Sequence, residues 1–392
     1  MTKKLNLALL IGIGFSITLN AQTDTTKIYN KKGGGYIFTA VKDIEATSVK
    51  DQSQTGTCWD FSTTSFFESE LIRMGKEDMD LSEMFTVWHT YSDKAEKYVR
   101  MHGNLTFGPG GEAHDVRSVM EKYGAVPNAV YNGLPDEQKK YNHDELDKAL
   151  KAFLDAVISA PSGKISAEWH TAFDNILNAY LGPLPTTFEY QGKSYTPQSY
   201  LKSLGLHPED YLEITSFTHH PFYTQFPLEV QDNWAWDEDY NVPLTDLMSI
   251  IDNAINNGYT VAWGSDVSNP GFSYKNGVAI LPAKEWSDFT SKAQIDSLFL
   301  HPVEQMNVTQ EERQKDFDNY VTQDDHGMQI VGIYKAQDGT KYYKVKNSWG
   351  LKGNDLNGYF FVSAAYVMMN TTDIMVNKAI IPKEISKKMG VK

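Results

Sequence analysis

Cysteine is almost absent from this chain: among 392 residues there is one, Cys58. A single cysteine can form neither an internal disulfide nor a metal site with two or more thiolates. A lone free cysteine commonly behaves as a small buried hydrophobe. Here, however, a glycine stands two residues before it, Trp59 follows directly, and the sequence becomes helical at once. A helix N-terminus lowers the pKa of a thiol, so Cys58 is also a candidate nucleophile.

Positive charge is scarce as well. Lys and Arg number 36 against 50 Asp and Glu, which gives a net charge of −14, and no cluster of basic residues occurs. Such a chain lacks the electrostatic surface that phosphates attract, so nucleic acid is not an expected partner and anionic membrane surfaces are disfavoured. No internal repeat or low-complexity tract is present, and the composition is that of an ordinary globular protein.

Long apolar runs are missing except near the N-terminus, so no membrane span is expected. There Lys3 and Lys4 precede an apolar stretch, Leu5 to Leu19, and a small residue, Ala21, follows. A basic start, an apolar middle and a small residue at the cut site are typical of a secretory signal peptide. We therefore predict a signal peptide over 1–21, cleavage near Ala21, and an exported protein, periplasmic or secreted. A buried N-terminal helix or a membrane anchor is the alternative.

The rest of the chain divides into a helix-rich first half and a strand-rich second half. Apolar residues at three- and four-residue spacing predict helices over 58–75, 81–101, 113–123 and 142–180. Short β-branched and aromatic runs bounded by turn residues predict strands over 259–263, 326–334, 341–346 and 358–363. The segment 183–245 shows little periodicity. Helices first and strands later indicate an α+β protein with a cleft between two halves.

A cysteine nucleophile needs a base, and the base needs a group that orients it. Among the ten histidines, His219 and His220 lack a further ligand at clear metal spacing, so no metal site is predicted. His326 differs, because a polar turn precedes it and a glycine and an apolar strand follow. The next predicted strand ends just before Asn347, whose side chain could bond the second ring nitrogen, and Trp349 could cover that bond from water.

Together these patterns resemble a known family, the papain-like cysteine peptidases. The likeness lies in Gly-Thr-Cys-Trp at 56–59, His-Gly-Met at 326–328, Asn-Ser-Trp-Gly at 347–350, and the chain order Gln, Cys, His, Asn. Within that family the chain is most similar to the bleomycin hydrolase and bacterial aminopeptidase C branch. This closer likeness rests on a large helical insert and on the segments 81–88, 110–127, 261–266 and 380–385.

The resemblance implies a papain-like two-lobed fold of the α+β class, in which a helical lobe and an antiparallel β-barrel-like lobe carry a large helical insertion. The peptidase domain would span 22–392. Its parts would be a helical lobe at about 40–130, the insertion at about 135–245 and a β-rich lobe at about 258–385. The resemblance implies no cofactor. The binding partner would be a peptide or small amide substrate, and the question whether the protein forms a homo-oligomer stays open.

The resemblance also assigns catalytic roles. Cys58 would be the nucleophile, held as a thiolate beside a protonated His326, and Asn347 would orient the imidazole. The side-chain N–H of Gln52 would point at the developing oxyanion, with the backbone N–H of Cys58 as second donor. Losing one such donor costs about 3 kcal/mol of transition-state stabilisation. Peptide bonds would be hydrolysed through a thioacyl intermediate.

Substrate binding is assigned to Gly110, Gly111 and Trp349. A substrate backbone would lie extended along the two glycines, because the absence of side chains lets two backbones approach closely. A plain flexible loop is the alternative for this pair of glycines.

Two departures from the branch bear on specificity. The residue before the cysteine is Thr57, where the branch usually has Arg. The chain ends at Lys392, so most of the branch's C-terminal arm, which lies in the cleft, would be missing. The branch favours aminopeptidase activity, whereas an open cleft would allow endopeptidase cleavage. Two more functions stay open: a catalytically silent peptide-binding protein of the same fold, and an amide hydrolase or acyl transferase with a non-peptide substrate.

Overall fold

The computed structural model describes residues 27–77, 79–134, 139–160 and 163–391. The α-helices within these ranges are α1 Cys58–Arg73, α2 Glu83–Arg100, α3 Ala113–Tyr123, α4 Asp144–Ile158, α5 Glu168–Leu181, α6 Pro197–Leu204, α7 Leu244–Asn256, α8 Lys292–Leu298, α9 Gln310–Asp318, α10 Ala364–Asn370 and α11 Lys383–Met389. The strands are β1 Ile28–Tyr29, β2 Ile37–Asp43, β3 Phe188–Tyr190, β4 Lys193–Tyr195, β5 Tyr211–Thr215, β6 Gln225–Pro227, β7 Glu238–Asn241, β8 Val261–Ser265, β9 Phe272–Ser273, β10 Val278–Ala279, β11 His326–Ala336, β12 Lys341–Lys346, β13 Tyr359–Ser363 and β14 Thr371–Asn377.

The predicted signal peptide, residues 1–21, lies outside the described residues. Within the ranges given above, no helix is both long and apolar enough to cross a membrane.

The helical lobe is organised around α2, α4 and α5. The first turn of α2 is capped by Ser82, whose Oγ accepts a hydrogen bond from the Phe85 N–H at 3.1 Å. Helices α4 and α5 each bury three apolar residues at four-residue spacing, namely Leu146, Leu150 and Leu154, and Phe173, Leu177 and Leu181. These stripes join one apolar core with α1, α2 and α3. Burying each such side chain contributes about 1.5–3 kcal/mol of hydrophobic stabilisation.

Twelve strands form one large sheet in the order β6-β7-β5-β14-β8-β11-β12-β13-β10-β9, with β2 paired to β11 and β1 to β2. Most neighbouring strands are antiparallel, while β5–β7 and β10–β13 are parallel. Strand β11 lies at the centre and pairs with β2, β8 and β12. It is buried over almost its whole length, which explains its near-continuous apolar sequence.

The two lobes meet where α1 packs against β11. The buried side chain of Gln329 in β11 joins them through hydrogen bonds to Ser65 and Ser69 of α1, and it also bonds Thr260 just before β8. Its Oε1 accepts from Ser65 Oγ at 2.6 Å, and its Nε2 donates to Ser69 Oγ at 2.8 Å and to Thr260 Oγ1 at 3.0 Å. A buried polar network whose hydrogen bonds are all formed favours a single arrangement of the elements that it connects. The first residue of α1 is thereby fixed beside the first residue of β11.

The predicted α+β class is confirmed, and three of the predicted helices correspond to α1, α2 and α3. The predicted helical stretch 142–180 is instead two helices, because α4 ends at Ile158 and α5 begins at Glu168. Between them Gly163 has a φ of +66°, a left-handed conformation that cannot continue a right-handed helix.

The segment 135–245, for which a helical insertion is predicted, also carries strands. Five short strands, β3 to β7, lie within it, and β5, β6 and β7 join the main sheet. Four of the five residues in β5 are buried, so this strand lacks the alternation of apolar and polar residues that marks a half-exposed strand. Sequence periodicity therefore did not reveal it.

Candidate active site

Five of the predicted site residues line one cavity between the lobes. Its volume is about 430 Å³, and its walls include Gln52, Cys58, Gly110, Gly111 and His326. Cys58 comes from the start of α1 and His326 from the start of β11, and the glycines come from the loop before α3. The α1–β11 contact therefore brings together side chains that lie far apart in the sequence.

His326 is oriented by Asn347. The imidazole Nε2 lies 2.8 Å from Asn347 Oδ1, and both side chains are buried. The backbone N–H of Ser348 donates to the same Oδ1 at 2.7 Å, which identifies this atom as an acceptor. Nε2 of a neutral imidazole must then carry the proton, so Nδ1 is the basic nitrogen. Antiparallel pairing of Gln329 with Lys346 sets this geometry, because it brings the beginning of β11 and the end of β12 together.

Trp349 covers the imidazole. Its ring stacks on that of His326 with the centroids 4.7 Å apart and the planes at 28°. The edges of Tyr274 and Phe272 pack against the indole in turn. Trp349 is not among the residues that line the cavity, so its contacts fit shielding of the His326–Asn347 hydrogen bond better than contact with a substrate.

Cys58 is the first residue of α1 and is half-buried. Backbone N–H groups of Gly327 and Trp59 donate hydrogen bonds toward its sulfur. The close packing here requires a glycine at 327, because a Cβ atom there would lie 2.7 Å from Ser62 Oγ and 3.0 Å from Trp59 Cα. The cysteine is therefore held close to the start of β11.

The surroundings oppose a lone charge on either Cys58 or His326. Burial, followed by the charges of Asp324 and Asp232, raises the pKa of the Cys58 thiol to about 11. Burial lowers the pKa of His326 to about 4, against the smaller effect of the hydrogen bond to Asn347. Moving the thiol proton to His326 would create two opposite charges that stabilise each other. The site thus favours a neutral pair or an ion pair over one charged partner alone.

Gln52 is tied to the residue that follows Asn347. Its backbone N–H donates to the Ser348 carbonyl at 2.8 Å, and its side-chain Oε1 accepts from Ser348 Oγ at 2.5 Å. Because the oxygen of the amide is engaged, the Nε2 donor is left to point elsewhere. Ser348 had no role in the sequence-based prediction, although it stands inside the Asn-Ser-Trp-Gly motif.

The loop that carries Gly110 and Gly111 is held in place by hydrogen bonds from two side chains to its backbone carbonyl groups. Trp59 Nε1 donates to the Pro109 carbonyl at 3.0 Å, and the buried Lys94 Nζ donates to the carbonyl oxygens of Gly108, at 3.1 Å, and Gly110. A Cβ atom at Gly110 would lie 1.9 Å from the Asp232 carboxylate. A side chain at this position would therefore displace the Asp232 carboxylate.

The sequence model of the Peptidase C1-like family matches residues 186–392, more than half of the chain. The chain belongs to this family. The model of the papain family of cysteine proteases matches residues 38–88. The first of these ranges contains His326 and Asn347, and the second contains Gln52 and Cys58.

Several named proteins resemble this peptidase over most of its length. Aminopeptidase C of Lactobacillus delbrueckii subsp. lactis is 24% identical over 387 residues, which cover 88% of this chain and 82% of that protein. Aminopeptidase C of Streptococcus thermophilus is 25% identical over 388 residues, covering 87% and 83%. The crystal structure of PepW from Lactobacillus rhamnosis HN001, 21% identical, has a TM-score of 0.68 and covers 90% of this chain and 84% of that one. The predicted papain-like fold is confirmed, and the protein is a cysteine peptidase.

The predicted export is wrong. The relatives named Aminopeptidase C from lactic acid bacteria are intracellular enzymes, and one of them matches 88% of this chain. The prediction rested on basic, apolar and small residues within 1–21, which lie outside the described residues. Such a pattern is compositional, and segments with other roles share it.

Two clusters of potential metal ligands occur among the described residues of the peptidase. One joins His219, His220 and Glu229, and each histidine Nε2 lies 2.9 Å from a Glu229 oxygen. The Gln314 Oε1 accepts from the Thr218 N–H, so its Nε2 donates to His219 Nδ1 at 3.0 Å. His219 Nε2 must then carry a proton, which prevents it from ligating a metal.

The other cluster joins His114, Glu213 and Asp237. His114 Nδ1 lies 2.9 Å from Glu213, and Arg117 forms an ion pair with Asp237. These contacts give His114, Glu213 and Asp237 partners within the protein, so no metal ion is needed to explain their arrangement.

Sequence reasoning missed the acidic side chains of the active-site cavity. Asp324 and Asp325 directly precede His326, and Glu112 follows Gly111, so their proximity to site residues was visible in the sequence. Asp232 and Asp373 are far from every motif, and only the folded chain brings them into the cavity.

Proposed function

We propose that the peptidase hydrolyses peptide bonds with Cys58 as nucleophile, His326 as base and Asn347 as the residue that orients the base. The observation that carries this proposal is the hydrogen bond between His326 Nε2 and Asn347 Oδ1, because it leaves the basic Nδ1 free for the cysteine in the same cavity. Gln52 joins them as an oxyanion donor, supported by the engagement of its Oε1 with Ser348.

The reaction follows from these groups. His326 Nδ1 takes the proton of Cys58 as the sulfur attacks the carbonyl carbon of the scissile bond. The carbonyl oxygen becomes an oxyanion that accepts hydrogen bonds from Gln52 Nε2 and the Cys58 backbone N–H. The C–N bond then breaks, and the imidazolium gives its proton to the leaving amine. Water, deprotonated by His326, attacks the thioester, which releases the acid and restores the thiol.

An aminopeptidase preference is supported by the named relatives, which match the chain over most of its length. A specific observation favours the second candidate, an endopeptidase. A neighbouring cavity of about 480 Å³ shares Asp232 and Asp324 with the active-site cavity, so the cleft continues past these two residues. A substrate that extends beyond its first residue would have room there.

The test compares wild-type protein with Cys58→Ala on peptides with free and acetylated N-termini. We expect the variant to lose peptide hydrolysis and labelling by iodoacetamide or a thiol-directed epoxide. Undiminished hydrolysis by the variant would refute the assignment of the nucleophile. An unreactive Cys58 in an inactive wild-type protein would instead support a silent peptide-binding protein. Efficient cleavage of acetylated peptides would exclude a strict aminopeptidase.

A further inference from the structure

The active-site cavity is acidic. Five carboxylic side chains line it, namely Glu112, Asp232, Asp324, Asp325 and Asp373, whereas none of the lining residues in the described part of the chain is a lysine or an arginine. They come from the loop before α3, the segment before β7, the turn before β11, and β14. Two of these charges, those of Asp324 and Asp232, act on the nucleophile itself, since both raise the pKa of the Cys58 thiol.

One oxygen of these carboxyl groups, Oε1 of Glu112, lacks a donor within the described part of the chain. The Glu112 side chain is 8% exposed, and no N–H group or hydroxyl in the described residues donates to its buried Oε1. Its neighbour in the cavity is the carboxyl group of Asp324, and the two form a hydrogen bond with each other. A buried carboxylate oxygen without a donor is costly, so an external cation or donor would relieve it.

The positive groups near the cavity are engaged elsewhere. Lys94 Nζ donates to the carbonyl oxygens of Gly108 and Gly110, and His114 is paired with Glu213 at 2.9 Å. Asp325 is also satisfied within the chain, because its Oδ2 accepts from the N–H groups of Val267 and Ser268. Asp373 Oδ1 accepts from the hydroxyl of the adjacent Thr372 at 3.1 Å, which engages one of its two oxygens. The carboxyl groups that can receive a ligand are therefore those of Glu112, Asp324 and Asp373, with Asp232 beside them.

The pKa values of these carboxyl groups are raised by their surroundings. Burial, followed by the charges of Asp324 and Asp373, raises the pKa of Glu112 well above its usual range. Burial raises the pKa of Asp324 to about 6. Burial and the charge of Glu213 raise the pKa of Asp373 to about 8, partly offset by the hydrogen bond with Thr372 and the charge of His114. Burial raises the pKa of Asp232 as well, and the charge of Lys94 offsets part of that effect. A bound cation would favour the charged form of each carboxyl group.

We infer that Glu112, Asp324 and Asp373 form a subsite that binds a primary ammonium group of the substrate beside the scissile bond. The inference rests on the proposed peptidase function for the position of that bond. The ammonium group has two sources in peptides, the free α-amine of an N-terminal residue and the side chain of a lysine. Both present three N–H donors and one positive charge, which match converging carboxylate oxygens.

Binding is measured with Cys58→Ala protein, so that no peptide is cleaved. Three short peptides of otherwise equal sequence are compared by titration calorimetry: one with a free α-amine and neutral side chains, its N-acetylated form, and an N-acetylated form with one lysine. We expect at least one cationic peptide to bind at least about 10-fold more tightly than the neutral peptide, because only the cationic peptide can donate a charge-assisted hydrogen bond to the carboxylates. The tighter of the two cationic peptides identifies the source of the ammonium group.

Asp373→Asn and Asp324→Asn, each in the Cys58→Ala background, should abolish this difference. Asp296→Asn is the matched control, since it removes one surface charge that is paired with Lys292 far from the cavity lining. Melting temperatures of all variants establish that they fold. We also expect the affinity for the cationic peptide to fall as pH decreases from about 8 to about 6, because Asp373 and Asp324 become protonated over this range.

Equal binding of all three peptides would overturn the inference, as would folded Asp373→Asn and Asp324→Asn variants that keep the full difference. These results do not depend on catalysis. Failure of the subsite is therefore distinguishable from failure of the Cys58 assignment, which is read from hydrolysis and labelling by the protein with Cys58 intact.

Discussion

Replacing Ser348 with alanine should slow catalysis by releasing Gln52. In the structure Ser348 Oγ donates to Gln52 Oε1 at 2.5 Å, while the Gln52 backbone N–H donates to the Ser348 carbonyl. The variant loses the first bond and keeps the second, so the chain should still fold with Gln52 in place. The freed amide group can then rotate, and its Nε2 no longer points steadily at the oxyanion. Ser348 would thus be a positioning residue that acts through Gln52.

The size of the effect can be bounded from two sides. A buried hydrogen bond between neutral groups contributes about 1 kcal/mol, which corresponds to about a 5-fold fall in kcat. Removing an oxyanion donor altogether costs about 10²- to 10³-fold in kcat. We therefore expect Ser348→Ala to lower kcat by about 5- to 10-fold and Gln52→Ala to lower it by far more. KM should change little in both, because the oxyanion forms only in the transition state.

A double-mutant cycle tests this reasoning by steady-state kinetics on one fluorogenic peptide. If Ser348 acts through Gln52, the double variant should match Gln52→Ala alone, with a coupling energy of about 1 kcal/mol. Ser203→Ala is a matched control, since its Oγ donates to the Tyr200 carbonyl away from the site. Additive losses in the double variant, or an unchanged kcat in Ser348→Ala, would refute the proposed coupling.

Three further predictions follow from individual contacts. Asn347→Ala leaves His326 Nε2 without its acceptor and should lower kcat/KM about 10- to 100-fold in steady-state assays; an unchanged value would exclude the orienting role. Gln329→Leu leaves Ser69 and Thr260 without their amide donor and should lower the free energy of unfolding in urea by about 2–4 kcal/mol; a loss below about 0.5 kcal/mol would contradict the role of this network. Burial alone would lower the pKa of His114, but Glu213 raises it to about 10, so its stabilising effect is full below about pH 6.5 and is lost as pH rises toward 10. The difference in unfolding free energy between wild type and His114→Gln should therefore shrink between pH 6.5 and 10, and a difference that grows with pH would contradict this pairing.

Much of the site could be predicted from short segments. Cys58 begins a helix, His326 begins a strand and Asn347 follows the next strand. The residues beside them in the sequence favour these local conformations, so the positions could be predicted without the tertiary fold. The same holds for α1, α2 and α3, whose apolar spacing marks them clearly. By contrast, 142–180 was predicted as one helical stretch, whereas α4 ends at Ile158, α5 begins at Glu168 and Gly163 between them has a φ of +66°.

Other features required the folded chain, for a different physical reason. Strand β5 pairs with β14, which lies far along the chain, and a strand with four of its five residues buried shows no alternation to reveal it. The sequence also suggested export from composition alone, and the relatives contradict that prediction.

The sequence by itself determined that this chain carries one thiol at a helix start, a histidine at a strand start and an amide just after the next strand. Local backbone preferences are enough to specify these positions. Only the tertiary structure decided what surrounds the thiol, because Glu112, Asp232, Asp324 and Asp373 converge through packing between elements that are distant in sequence. Charge at a site depends on distances in space, and no pattern along the chain encodes the distance between β14 and the loop before α3.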